Sequence, residues 1–391
     1  MSEANGIREK REREAVTNPP PVSEPAAPQP SSSRLHRFAV FAAVITYCAT
    51  VMGGAVTSSD SSLVDPSPVG FFGSWLPRVS DMLQSLGVFF EHGHRILIGI
   101  VGLSTIGLAV AIFRSGERRA GVRRLAVAAV VLLLVPAVLG ALTVYLGKSP
   151  VISIVHVVVA MLFVASITTL AVVSGPRWLG ETTRAEPQAA RNLALFSGAL
   201  VVALYLQIVL GAVPRHATLE FGGRSMVLLG SLVHILWAFV VFAAVLLVFL
   251  EVTRNHRKTM QVFLPAFGLL FLLVIQLFLG VATFVTLPDE PPGAEALAGK
   301  SVVAAAPEGN TRGESAATPD EASSATLGPD ERHEGPTPFH QLSASTHQAV
   351  GVLMLIGGVV LGLRALRLHQ LSSSSSPPVS VREHPERSEN P

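Results

Sequence analysis

Apolar residues in this chain come in long, almost unbroken runs separated by short polar joints, a pattern that fits neither alternating strands nor one-sided surface helices. A hydrocarbon core about 30 Å thick needs roughly 20 apolar residues at helical rise to cross it. Eight runs reach that length: approximately Phe38–Val56, Gly93–Phe113, Leu125–Leu146, Val151–Val173, Leu193–Val213, Val227–Leu250, Val262–Val285 and Thr346–Leu366. The predicted fold class is all-α, a polytopic membrane protein with eight transmembrane helices.

Two joints are long. One runs from Ser58 to Phe90, and the other, residues 289–343, is rich in Pro, Gly, Ala, Ser and acidic residues and reads as disordered. Residues 1–36 and 369–391 read as disordered cytoplasmic tails. Residues 37–174 read as one four-helix half, 175–191 as a cytoplasmic linker, and 192–368 as a second half that includes the long outer loop. The first thirty-odd residues are polar and Pro-rich, so a cleaved secretory signal is not expected. Arg34 and Arg37 precede the first span, and Arg114, Arg118, Arg119, Arg123 and Arg124 separate the second from the third. Arg177, Arg184 and Arg191 separate the fourth from the fifth, Arg254, Arg257 and Lys258 follow the sixth, and Arg364 and Arg367 close the eighth. Retention of these cations on the inner side predicts a multi-pass cell-membrane protein with both termini cytoplasmic.

Composition narrows the chemistry. The chain is 49% hydrophobic and 14% charged, with mean hydropathy +0.50. Its net charge of +2, clustered at span ends, excludes nucleic acid as a partner and makes the lipid bilayer the expected surroundings. Cys48 is the single cysteine, so intrachain disulfides and thiolate metal sites are excluded.

The spans divide into two sets of four with related local sequences, predicting two pseudo-symmetric four-helix bundles. Leu139-Gly140 in the third span, Leu210-Gly211 in the fifth and Leu279-Gly280 in the seventh repeat one step. Histidine repeats too: His94 opens the second span, His156 and His234 lie early in the fourth and sixth, and His347 opens the eighth. One membrane histidine reads equally well as a helix–helix hydrogen-bond donor. Four at equivalent depths, two per half, point to a shared ligand, and haem iron between two facing imidazoles suits the pattern. Zinc, with three or four protein ligands, and copper, with sulfur ligands, suit it less. The candidate metal ligands are His94, His156, His234 and His347. His92 falls roughly opposite His94 and reads as interfacial. His216, His333 and His340 are assigned to outer loops, and His36, His256, His369 and His384 to the cytoplasmic side, all as structural or surface residues.

Glu91-His92-Gly93-His94-Arg95 resembles the signature of the haem A synthase family, as do Gly53-Gly54-Ala55-Val56-Thr57-Ser58 at the first-span exit, Gln207 to Gly211 with Arg215-His216, and Thr346-His347-Gln348. The resemblance implies oxidation of the C8 methyl of haem O to the formyl group of haem A. It implies that His94 and His156 flank the substrate and that His234 and His347 ligate a haem b. Glu91 would be catalytic; three residues from His94, it shares a helix face with it and could move protons. An ion pair with Arg95 at i,i+4 is the competing role for Glu91, and a haem propionate an alternative partner for Arg95. A haem O synthase, an electron acceptor and a second copy of the chain are candidate partners. The sequence departs from the family where Ile235 follows His234 in place of Arg, and where Pro136 stands at the position of Gln207 and Gln276. The loss of a polar contact and a kink are expected at Pro136. The first outer loop, with Asp60, Asp65 and Trp75, follows the family loosely, and the cysteine pair of some members is absent. The competing functions are a non-enzymatic di-haem cytochrome taking electrons from a quinol, with the same four ligands, and a transporter with histidine proton relays, for which the spans lack paired carboxylates.

Overall fold

The computed structural model describes residues 30–67, 69–179, 183–217, 223–287 and 337–374. Ten helices are present among them: α1 (Pro30–Ser58), α2 (Val79–Met82), α3 (Leu86–Arg114), α4 (Ala120–Tyr145), α5 (Pro150–Val173), α6 (Pro176–Leu179), α7 (Pro187–His216), α8 (Gly223–Asn255), α9 (Met260–Val285) and α10 (Pro338–Ser373). All except α2 and α6 are long and apolar enough to cross a membrane, eight in total, as the hydropathy pattern predicts. The chain is an all-helical, multi-pass membrane protein.

The helices overrun the apolar stretches, because backbone hydrogen bonding continues into the polar interface until a cap or a proline stops it. Ser85 caps α3 by accepting from the Val88 N–H, Glu186 caps α7 by accepting from Gln188 and Ala189, and Thr337 caps α10 by accepting from His340. Consequently α1 begins at Pro30, inside the stretch expected to be an unstructured tail. Helix α10 begins at Pro338, inside the expected outer loop, and runs to Ser373, past the expected tail boundary. The remainder of the two tails, and residues 289–336 of the expected disordered loop, lie outside the described residues.

Helices α1, α3, α4 and α5 pack in a closed ring in that order, with α5 returning to α1. Helices α7, α8, α9 and α10 close a second ring with the same neighbour relations. The rings meet along α1–α10, α5–α10 and α5–α7. Each has an apolar core built mainly of Leu, Val and Ala, with Ile112, Ile167 and Phe163 added in the first and Met354 in the second. In α4, α7 and α9 the core ends at Leu133, Leu204 and Leu273, one turn short of Pro136, Gln207 and Gln276. The histidines lie beyond that level, so one end of each bundle is packed solid and the other carries the imidazoles.

Candidate functional site

The four histidines sit on α3, α5, α8 and α10, which are diagonal pairs within their rings. Each imidazole leans on a glycine of the preceding span. A β-carbon built on Gly53 would stand 2.9 Å from His94 Cε1, on Gly140 3.3 Å from His156 Cε1, on Gly211 2.8 Å from His234 Cε1, and on Gly280 3.1 Å from His347 Cε1. The residue one turn before each glycine supplies a carbonyl. His94 Nδ1 is 2.9 Å from Ala49 O, His156 Nδ1 2.8 Å from Pro136 O, and His234 Nδ1 3.0 Å from Gln207 O. A carbonyl only accepts, so these three rings carry the proton on Nδ1 and leave Nε2 as the accepting or metal-ligating atom. His347 departs from the others: its Nδ1 makes no hydrogen bond among the described residues.

At Pro136 the side-chain contact that Gln207 and Gln276 make is lost, as expected, while the backbone carbonyl, which proline retains, still meets His156 Nδ1 at 2.8 Å inside a continuous α4. Side chains at this position matter only in the second half. There the Gln207 and Gln276 amide nitrogens lie 3.3 Å from the Nε2 atoms of His234 and His347, and both amide oxygens are buried without a partner.

The His234 and His347 rings have centroids 6.1 Å apart and are inclined at 73°. Two imidazoles sharing one metal, with bonds of about 2 Å and about 1 Å from nitrogen to ring centre, would be separated by about 6 Å. The pair and its glycine cradles therefore fit a bis-histidine haem. Among the described residues no three or more His, Cys, Asp or Glu side chains cluster as a metal site.

At the same end, the loop after α1 folds over the start of α3. Asp65, fully buried, is its keystone: its carboxylate accepts from the Ser67 N–H at 2.9 Å, the Phe72 N–H at 2.7 Å, His92 Nε2 at 3.1 Å and Arg95 at 3.2 Å. Arg95 also donates to Gly70 O at 2.7 Å, Asp65 O at 3.2 Å and Glu91 Oε1 at 2.6 Å, while Glu91 Oε2 accepts from the Asp65 N–H at 2.9 Å. Burial by itself would raise the Asp65 carboxyl, but the Phe72 and Ser67 donors and the Arg95 charge outweigh it and hold the group below its ordinary range. Phe71 and Ser74 exchange backbone bonds around Phe72 and Gly73, both at positive φ (46° and 76°). That geometry suits a glycine but strains a phenylalanine, and the Asp65 carboxylate holds it in place.

The Glu91–Arg95 ion pair at i,i+4 is formed, and His92 is not interfacial: it is fully buried, with the Phe71 and Phe72 rings edge-on at 5.0 Å. Two histidines assigned to loops are helical instead. His216 closes α7, and His340, in the first turn of α10, pairs with the Thr286 hydroxyl at 3.1 Å. His36 and His256 bond the carbonyls of Ala171 and Ala189, as structural residues do; His333 and His384 lie outside the described residues.

Sequence reasoning overlooked three groups. Asp65 was visible only as a loop acid. Arg215, from α7, donates to Gly54 O at 2.8 Å and Ser58 Oγ at 2.7 Å on α1, joining the two halves. Tyr47 and Tyr205 donate across the same boundary, to Ala349 O at 3.5 Å and Val158 O at 3.1 Å, each two residues past a histidine of the opposite half. The signal for the tyrosines was their shared spacing ahead of Gly53 and Gly211.

Fold and site together define a multi-pass helical membrane protein carrying paired imidazoles, three of them carbonyl-oriented, at one end of two four-helix rings. Residues 83–220 match the family model described as cytochrome oxidase assembly protein, COX15-CtaA, which is the haem A synthase family. The match runs from the start of α3 to just past α7 and includes Glu91, His94, Arg95 and His156. The resemblance seen in the sequence is borne out over that stretch. No curated protein matches the chain.

Proposed function

We propose that this protein is a haem A synthase-like oxidoreductase that converts the C8 methyl of haem O to the formyl group of haem A for terminal oxidase assembly. The observation that carries the proposal is the repeated clasp in which a histidine rests on a glycine with Nδ1 against the carbonyl one turn earlier. A second-sphere carbonyl of this kind fixes the tautomer and ring direction of a metal-binding imidazole.

In this reading the two halves are pseudo-symmetric domains with different tasks. His94 and His156, in the first, would flank the substrate haem. His234 and His347, in the second, hold haem b. A b-type haem bound there supplies a one-electron relay between substrate and acceptor. Glu91 is the acid–base residue. Its two oxygens are fixed by Arg95 and the Asp65 N–H, so its orientation is set before substrate arrives. Arg95 orients Glu91; its terminal nitrogens donate to Asp65, Gly70 and Glu91, which leaves the Nε–H as its donor toward a propionate at that end. The histidine end faces the outer side of the cell membrane and both termini are cytoplasmic. A haem O synthase delivers substrate, water supplies the formyl oxygen, a separate acceptor removes the electrons while the protons leave to solvent, and copies of the chain associate as a homo-oligomer. What distinguishes the halves is the Gln207 and Gln276 amides, whose places in the first half are taken by Ala49 and Pro136.

The test is a reduced-minus-oxidised spectrum of detergent-purified protein, followed by acid extraction and chromatography of its haems. Haem b together with haem O or haem A is expected. Two equivalents of haem b alone would instead make the protein a di-haem cytochrome, and no haem at all would overturn both readings.

A further inference from the structure

We propose that the segment from Trp75 to Leu86 is an interfacial anchor, lying in the headgroup–acyl boundary of the bilayer at the histidine end of the molecule. Trp75 is 84% exposed, and Leu76, Val79, Leu83 and Leu86 are 72–78% exposed. So dense a group of large apolar side chains without cover marks an interaction surface. Leu76, Val79, Leu83 and Leu86 recur at steps of three and four, with Arg78, Ser80, Asp81, Gln84 and Ser85 between them, which is the spacing of an amphipathic turn.

Three observations make lipid the occupant. The segment joins the ends of two spans, α1 and α3, and therefore lies at the depth where those helices leave the hydrocarbon. Its apolar strip runs through Leu86 and Phe89 into the exposed side chains of α3, Ile100, Leu103, Ile106 and Val110, the surface that faces lipid acyl chains. Part of its hydrogen bonding is met within the segment: Ser80 and Gln84 donate to Asp81, and the N–H groups of residues 81–84 donate to the carbonyls of Arg78, Val79 and Asp81, which lowers the cost of placing it in the interface. Tryptophan is the residue most at home at that depth. Because Asp65 and Arg95 bind the preceding loop rigidly to α3, the anchor fixes the depth of the loop that covers Glu91 and His92.

The experiment is nitroxide scanning of the full chain in phosphatidylcholine vesicles. A Cys48→Ser background removes the single native thiol, and Leu76→Cys, Val79→Cys, Leu83→Cys, Ser80→Cys and Gln84→Cys are labelled one at a time. Labels at 76, 79 and 83 are expected to collide several-fold more with dissolved oxygen than with a water-soluble nickel chelate, and labels at 80 and 84 to show the reverse. Equal access of the nickel chelate to all five, or five immobilised labels reached by neither reagent as under a protein partner, would overturn the proposal. Five separate surface sites keep the test decisive if one variant folds poorly.

Discussion

Gly211 faces His234 so closely that a β-carbon on it would stand 2.8 Å from the imidazole Cε1. Alanine there must displace the ring that the Gln207 carbonyl holds, and overpacking of this kind costs about 1–3 kcal/mol. The four cradles give a graded expectation. Gly211→Ala and Gly53→Ala, at 2.8 and 2.9 Å, should deplete bound haem most, Gly280→Ala at 3.1 Å less, and Gly140→Ala at 3.3 Å least. Pyridine-haemochrome content per mole of purified protein reads the order.

Histidine substitutions should separate the halves. His94→Ala or His156→Ala is expected to abolish haem A formation while haem b remains bound. His234→Ala should chiefly remove the haem b signal. Haem chromatography of membranes expressing each variant checks this, and normal haem A in both first-half variants would sink the enzymatic assignment.

Asp65 gives the cap an acid limit. Its carboxyl is held below the ordinary value of about 4. A depressed folded-state pKa adds stability that is complete above the unfolded value and is lost as pH falls through the lower folded one. Thermal stability in detergent should therefore fall below about pH 4. Asp65→Asn should remove that acid-dependent component and cost about 3 kcal/mol at neutral pH, because it strips the charge that faces Arg95 in a buried pair.

The tyrosines that cross between the halves should differ in weight. Tyr205→Phe loses a bond of 3.1 Å and is expected to cost about 1 kcal/mol, whereas Tyr47→Phe, losing one of 3.5 Å, should cost less. Denaturant titration of the purified variants compares them.

The sequence by itself determined the eight spans and the positions of the four histidines, because hydrocarbon thickness imposes a run length that survives in the linear order of residues. It also determined the Glu91–Arg95 pair, which is local to one helix. Only the tertiary structure decided what the imidazoles rest on. Their partners are backbone carbonyls, and every residue type carries one, so Ala49, Pro136 and Gln207 perform the same task without sharing a side chain. It likewise decided the role of Asp65, which gathers Ser67, Phe72, His92 and Arg95 from a loop and a helix up to 30 residues apart. A carboxylate's worth depends on which donors surround it in space, and that spacing is set when α1 and α3 pack side by side.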